Sequence, residues 1–123
     1  MKKILLIDDD KVFNESLRDY LDYEGFDVVC AFEGKQGLRL LNQEEPDLLI
    51  TDIIMPEIEG IEILSKINQN PPTFPIRIIA ISGGGRIGGT NYLSVAERIG
   101  ADYVFEKPLD IEALVEAVRN LLQ

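Results

Sequence analysis

The sequence predicts an α/β domain: a doubly wound, five-stranded parallel sheet with five helices covering its two faces. Three observations predict it. Short apolar runs alternate with segments of helical periodicity along the whole chain, the order produced when parallel strands are joined by crossover helices. The runs are close to continuous in Ile, Leu and Val, as strands covered on both faces are. The length of 123 residues, with 46% hydrophobic and 28% charged residues, suits a single core, so one domain over 1–123 is expected.

The elements follow in order. Strands are expected at Lys3 to Asp8, Asp27 to Ala31, Asp47 to Asp52, Ile76 to Ile81 and Tyr103 to Phe105. Phe13, Leu17, Tyr20 and Leu21 mark a first helix that Gly25 stops; Leu38 and Leu41 mark a second that ends before Pro46. Ile61, Leu64 and Ile67 mark a third, and the Asn70-Pro71-Pro72-Thr73 stretch after it reads as a loop. A fourth helix is expected around Tyr92 to Ile99, after the five-glycine stretch from Ser82 to Thr90. The last helix is the clearest: Ile111, Leu114, Val115, Val118 and Leu122 recur at spacings of three and four behind an Asp110 cap.

Composition narrows the function. The 12 Lys and Arg against 22 Asp and Glu give a formal charge of −10, which repels phosphate backbones and anionic headgroups, so neither nucleic acid nor membrane is an expected direct partner. Cys30 is the single cysteine, so no internal disulfide can form, and its apolar surroundings predict a buried thiol in a reducing, cytoplasmic setting. The apolar run Ile4 to Ile7 is too short for a signal peptide or anchor. The absence of histidine removes the usual zinc and Ser-His-Asp chemistries.

In doubly wound sheets ligands bind beyond the carboxyl ends of the strands. Asp8, Asp9 and Asp10 follow the first strand, Asp52 ends the third, Ser82 follows the fourth and Lys107 the fifth. Each alone has an ordinary explanation: aspartates cap helices, serines sit in turns, and lone lysines are solvated. Acids, a hydroxyl and one cation converging on one rim need a common cause. Carboxylates brought together repel unless a cation sits among them, and an oxygen-only donor set suits Mg²⁺.

The Asp8-Asp9 pair, Asp52 followed by Met55-Pro56 and Gly60, Ser82 after its apolar strand, and Lys107-Pro108 together resemble the receiver domain of bacterial response regulators, over essentially the whole chain. The resemblance implies a flavodoxin-like sheet of order 2-1-3-4-5. It implies a phosphoacceptor Asp52 that takes a phosphoryl group from a histidine kinase or a histidine phosphotransfer protein. Mg²⁺ would be held by Asp8, Asp9, Asp52 and the backbone carbonyl of Ile54, with Asp8 acting through water. Lys107 and Ser82 would contact the phosphoryl oxygens, and Lys107-Pro108 would be cis. A receiver catalyses only its own phosphorylation and dephosphorylation, and its output is a changed choice of effector protein, with a weak or phosphorylation-dependent dimer among the partners allowed. The resemblance puts output on the fourth helix, fifth strand and fifth helix, where Tyr92 and Tyr103 are candidates. A free-standing messenger, a phosphorelay intermediate and a piece of a larger regulator all stay open.

Two features depart from the family. The aromatic residue often found three positions before the lysine is here Val104, and its neighbours Tyr103 and Phe105 should point to the opposite face of the strand. The stretch Ser82-Gly83-Gly84-Gly85-Arg86-Ile87-Gly88-Gly89-Thr90 is glycine-rich but matches neither Gly-x-Gly-x-x-Gly nor a P-loop, so a mobile switch loop is expected rather than a nucleotide site. Two other readings compete. Ile7-Asp8-Asp9-Asp10-Lys11-Val12 also resembles the Asp-x-Asp motif of haloacid-dehalogenase-type phosphatases, which would place the covalent phosphate on Asp8 and leave Asp52-Ile53-Ile54-Met55-Pro56 without a role. A flavodoxin-like cofactor module would share the fold but not the chemistry.

Overall fold

The computed structural model describes residues 2–53, 60–83, 86–87, 90–91, 96–98 and 100–123. Its main sheet has five parallel strands: β1 (Lys3–Ile7), β2 (Asp27–Ala31), β3 (Leu48–Asp52), β4 (Arg77–Ser82) and β7 (Tyr103–Glu106). Their spatial order is β2-β1-β3-β4-β7, all neighbours parallel, which is the predicted 2-1-3-4-5 arrangement. Four helices are described in full: α1 (Lys11–Tyr23), α2 (Gly34–Glu44), α3 (Gly60–Gln69) and α4 (Ile111–Leu121). Residues 96–98 are helical where the sequence places the remaining one.

Alternation along the strands divides the core between the two faces. Leu5, Ile7, Leu49 and Ala80 point to one side, where they meet Leu41 of α2 and Ile63, Leu64 and Ile67 of α3. Ile4, Leu6, Leu48, Ile50, Ile79 and Ile81 point to the other, against Leu17 and Leu21 of α1 and Leu114, Val115 and Val118 of α4. The central strands are buried on both sides, which is why their sequences read as unbroken apolar runs.

The helix ends follow local chemistry. Asp10 and Asp110 accept hydrogen bonds from the backbone N–H groups of Phe13 and Ala113 at 3.1 Å, capping α1 and α4. Gly25, at φ +98°, lets the chain leave α1 while Phe26 N–H bonds back to Leu21 C=O. At the end of α2 no glycine is available, and Glu45 itself takes the left-handed C-cap conformation (φ 46°), its N–H bonding to Leu41 C=O.

Three expectations are corrected. Ser82 is the last residue of β4 rather than the first after it. The glycine-rich stretch is not wholly a loop: β5 (Arg86–Ile87) and β6 (Thr90–Asn91) pair antiparallel, with Gly88-Gly89 between them in the chain. Cys30 is half-buried rather than buried, because β2 is an edge strand, although desolvation still raises its thiol pKa.

Candidate functional site

Parallel register brings the predicted residues to one rim. Beyond the ladder, Asp8 N–H bonds to Ala31 C=O at 3.1 Å, Ile53 N–H to Ile81 C=O at 3.0 Å and Lys107 N–H to Ser82 C=O at 2.8 Å. These bonds fix the carboxyl ends of β1, β3 and β7 to their neighbours just where the functional side chains emerge. Asp8, Asp52 and Ser82 are all buried, whereas Asp9 is exposed. One carboxylate oxygen from each of Asp8, Asp9 and Asp52 lies within 4.8 Å of the others.

Lys107 reaches into this cluster. Its Nζ lies 2.9 Å from Asp8 Oδ2 and 3.8 Å from Asp52 Oδ2, with the side chain 20% exposed. The Lys107-Pro108 peptide is cis, as the resemblance implied. Burial pushes the Asp8 carboxyl above its ordinary value; Lys107 and the backbone N–H of Asp10, which donates to Asp8 Oδ1 at 2.9 Å, pull it down without fully offsetting desolvation. A carboxylate still short of compensation, beside two more, is the setting that a hard divalent cation fits, and the three donors are all oxygen.

Gly60 explains part of the tail behind Asp52. A Cβ there would overlap the carbonyl oxygen of Asp52 and lie 2.6 Å from Ile53 Cα, so the start of α3 can sit against the end of β3 only because residue 60 has no side chain. Ile54, Met55 and Pro56, with the carbonyl assigned to the metal, lie outside the described residues, as does Tyr92. Val104 packs on the α2/α3 side and Phe105 on the other, as strand alternation requires. Tyr103 and Phe105 stack with ring centroids 6.4 Å apart, and Tyr103 is exposed at the sheet edge.

Sequence reasoning missed two residues of α1. Asn14 is fully buried and its Nδ2 donates to Asp8 C=O at 3.0 Å and Ala31 C=O at 2.9 Å. The signal was present, since a polar residue at position 14 interrupts a stripe continued by Leu17 and Leu21. The ring of Phe13 lies under the Lys107 ammonium, 4.1 Å from Nζ to centroid, and no spacing in the sequence could reveal that contact. A cleft of about 530 Å³ near Leu41, Ile67 and Phe74 lies by the C-terminal ends of α2 and α3, at the opposite end of the sheet from the acidic cluster.

Comparison with known proteins agrees with this fold. The family model described as response regulator receiver domain matches residues 4–119, and the chain belongs to that family. The chain is similar to the response regulator MprA of Mycolicibacterium vanbaalenii (31% identical, covering 98% of this chain and 50% of the relative). It is also similar to the transcriptional regulatory protein CpxR of Klebsiella pneumoniae (36%, covering 100% and 50%). It thus spans about half the length of the curated relatives it matches. Among solved structures, it resembles a response regulator signal receiver domain from Bermanella marisrubri with TM-score 0.88 and 27% identity, covering 98% of both chains. It also resembles a receiver domain protein from Clostridium thermocellum with TM-score 0.86 and 28% identity, covering 98% of this chain and 94% of that one. Membership makes it a two-component receiver domain of the chemotaxis-regulator-like type rather than a classical enzyme. Among the described residues no helix is long and apolar enough to cross a membrane.

Proposed function

We propose that residues 1–123 act as one phosphoacceptor unit in which Asp52 receives a phosphoryl group from a phosphohistidine donor and thereby changes which effector protein the domain binds, in the cytoplasm. One observation carries the reading: three carboxylates within 4.8 Å of one another, with an ammonium between Asp8 and Asp52. Asp8, Asp9, Asp52 and the Ile54 carbonyl would hold Mg²⁺, which when bound supplies positive charge to the phosphoryl oxygens.

A carboxylate oxygen of Asp52 attacks the donor's phosphorus, the phosphorus–nitrogen bond breaks, and the electron pair leaves with the imidazole. Phosphoryl transfer asks little of the protein beyond position and charge. Lys107 starts 3.8 Å from the acceptor, where unit charges interact by about 4 kcal/mol at an effective dielectric constant of about 20, and pairs with the incoming oxygens. In this reading the hydroxyl of Ser82, the buried last residue of β4, bonds a phosphoryl oxygen and passes the change to the segment that follows. Hydrolysis of the acyl phosphate resets the site.

The test is incubation with Mg²⁺ and a labelled small phosphoryl donor, comparing the parent with Asp52→Asn and Asp8→Asn. Label in the parent that Asp52→Asn abolishes is expected. Label retained by Asp52→Asn and lost in Asp8→Asn would favour the phosphatase-type assignment.

A further inference from the structure

We infer that Phe13 is a positioning residue for phosphoryl transfer, its ring face forming the wall that holds the Lys107 ammonium inside the acidic site. This rests on the phosphoacceptor reading and extends it to a residue outside the family motifs. Among the described residues the Lys107 Nζ has three neighbours of suitable chemistry: Asp8 Oδ2 at 2.9 Å, Asp52 Oδ2 at 3.8 Å and the Phe13 ring, with 4.1 Å to its centroid. The two carboxylates attract the charge from within the site. An aromatic face stabilises a cation through its quadrupole and covers a side that water would otherwise occupy.

Lysine has a flexible four-carbon stem, so an ammonium on a solvated rim samples many positions unless something limits it. Phe13 is well fixed for that task. Its backbone N–H donates to Asp10 Oδ1, and Asp10 N–H donates to Asp8 Oδ1, so one short segment links the ring to the carboxylate that Lys107 meets. The next residue, Asn14, clips the same turn of α1 to the ends of β1 and β2 through Asp8 C=O and Ala31 C=O. The ring is therefore built into the rim rather than resting on it. When a phosphoryl group arrives at Asp52, the ammonium has only to turn from the carboxylates to the new oxygens while staying on the ring.

The experiment replaces Phe13 by 4-fluoro-, 3,5-difluoro- and 3,4,5-trifluorophenylalanine, which keep the shape and weaken the negative ring face stepwise. The rate of Asp52 phosphorylation from a small donor with Mg²⁺ should fall in proportion along the series. Phe13→Leu should be slower by about 3- to 10-fold, and Phe13→Tyr close to the parent. In the resting protein the methylene protons next to Lys107 Nζ should show an upfield ring-current shift that Phe13→Leu removes. A flat or rising series, or no such shift in the parent, overturns the inference. A parent that forms no adduct on Asp52 instead removes the phosphoacceptor reading, and the functional half of this inference with it.

Discussion

Replacing Asn14 by aspartate tests how the acidic rim is anchored. Asn14 is fully buried, its Nδ2 donates to two backbone carbonyls, and its Oδ1 accepts no hydrogen bond among the described residues. Ala31 C=O keeps a second donor in Asp8 N–H, so loss of the amide falls hardest on Asp8 C=O. Asn14→Asp keeps the shape, turns the double donor into an acceptor facing two acceptors, and buries a charge. Leaving a buried acceptor unpaired costs about 1–3 kcal/mol, and an uncompensated buried charge about 3–5 kcal/mol. Asn14→Leu loses the same donors but also removes the unpartnered oxygen and adds no charge, so it should cost about 1–2 kcal/mol. The introduced carboxyl would have a folded pKa above its unfolded one. Its extra penalty is therefore full at high pH and shrinks as pH falls through the folded value. Urea unfolding should place the Asn14→Asp midpoint about 2–4 M below the parent at neutral pH, for a slope near 2 kcal/mol/M, with part of the gap closing at about pH 5. Equal midpoints for the two variants, or a gap independent of pH, would refute this account of the anchor.

Gly60→Ala should destabilise by about 2–4 kcal/mol in thermal or urea unfolding, because the obstruction is the backbone of Asp52 and Ile53 rather than a flexible side-chain end; a neutral effect would mean that α3 can shift freely. The raised pKa of Asp8 makes metal-free stability fall as pH rises from the ordinary carboxylate range through the folded value, since the folded protein binds the extra proton. Asp8→Asn should flatten that slope and Mg²⁺ should offset it in the parent, both readable in urea midpoints against pH; a slope unchanged by the substitution contradicts the assignment. With Val104 where an aromatic residue often stands, switching should rest on the segment after Ser82, so amide exchange from Ser82 to Asn91 should change with a phosphoryl mimic, and equal protection would exclude it.

The fold was legible because each central strand is covered on both faces, so β1, β3 and β4 announce themselves as apolar runs that ordinary polarity cannot imitate. The rim was legible because strand ends in such a sheet share one edge, which converts positions 8, 52, 82 and 107 into neighbours without knowledge of any contact. The β5–β6 pairing was not, since strands of two residues among glycines carry no periodicity. Cys30 was misjudged because burial on β2 depends on the strand standing at the edge, a property of sheet order rather than of local composition. Phe13 was read as an ordinary core position of α1; its contact with Lys107 joins the first turn of α1 to the residue after β7, far along the chain, and depends on tertiary packing.

The central claim is that the phosphoryl group resides on Asp52. Borohydride reduction of the Mg²⁺-dependent adduct converts an aspartyl phosphate to homoserine, which peptide mass spectrometry locates directly. Homoserine at position 52, absent without donor and absent in Asp52→Asn, is the result expected; homoserine at position 8, or at 52 regardless of donor, would contradict the account.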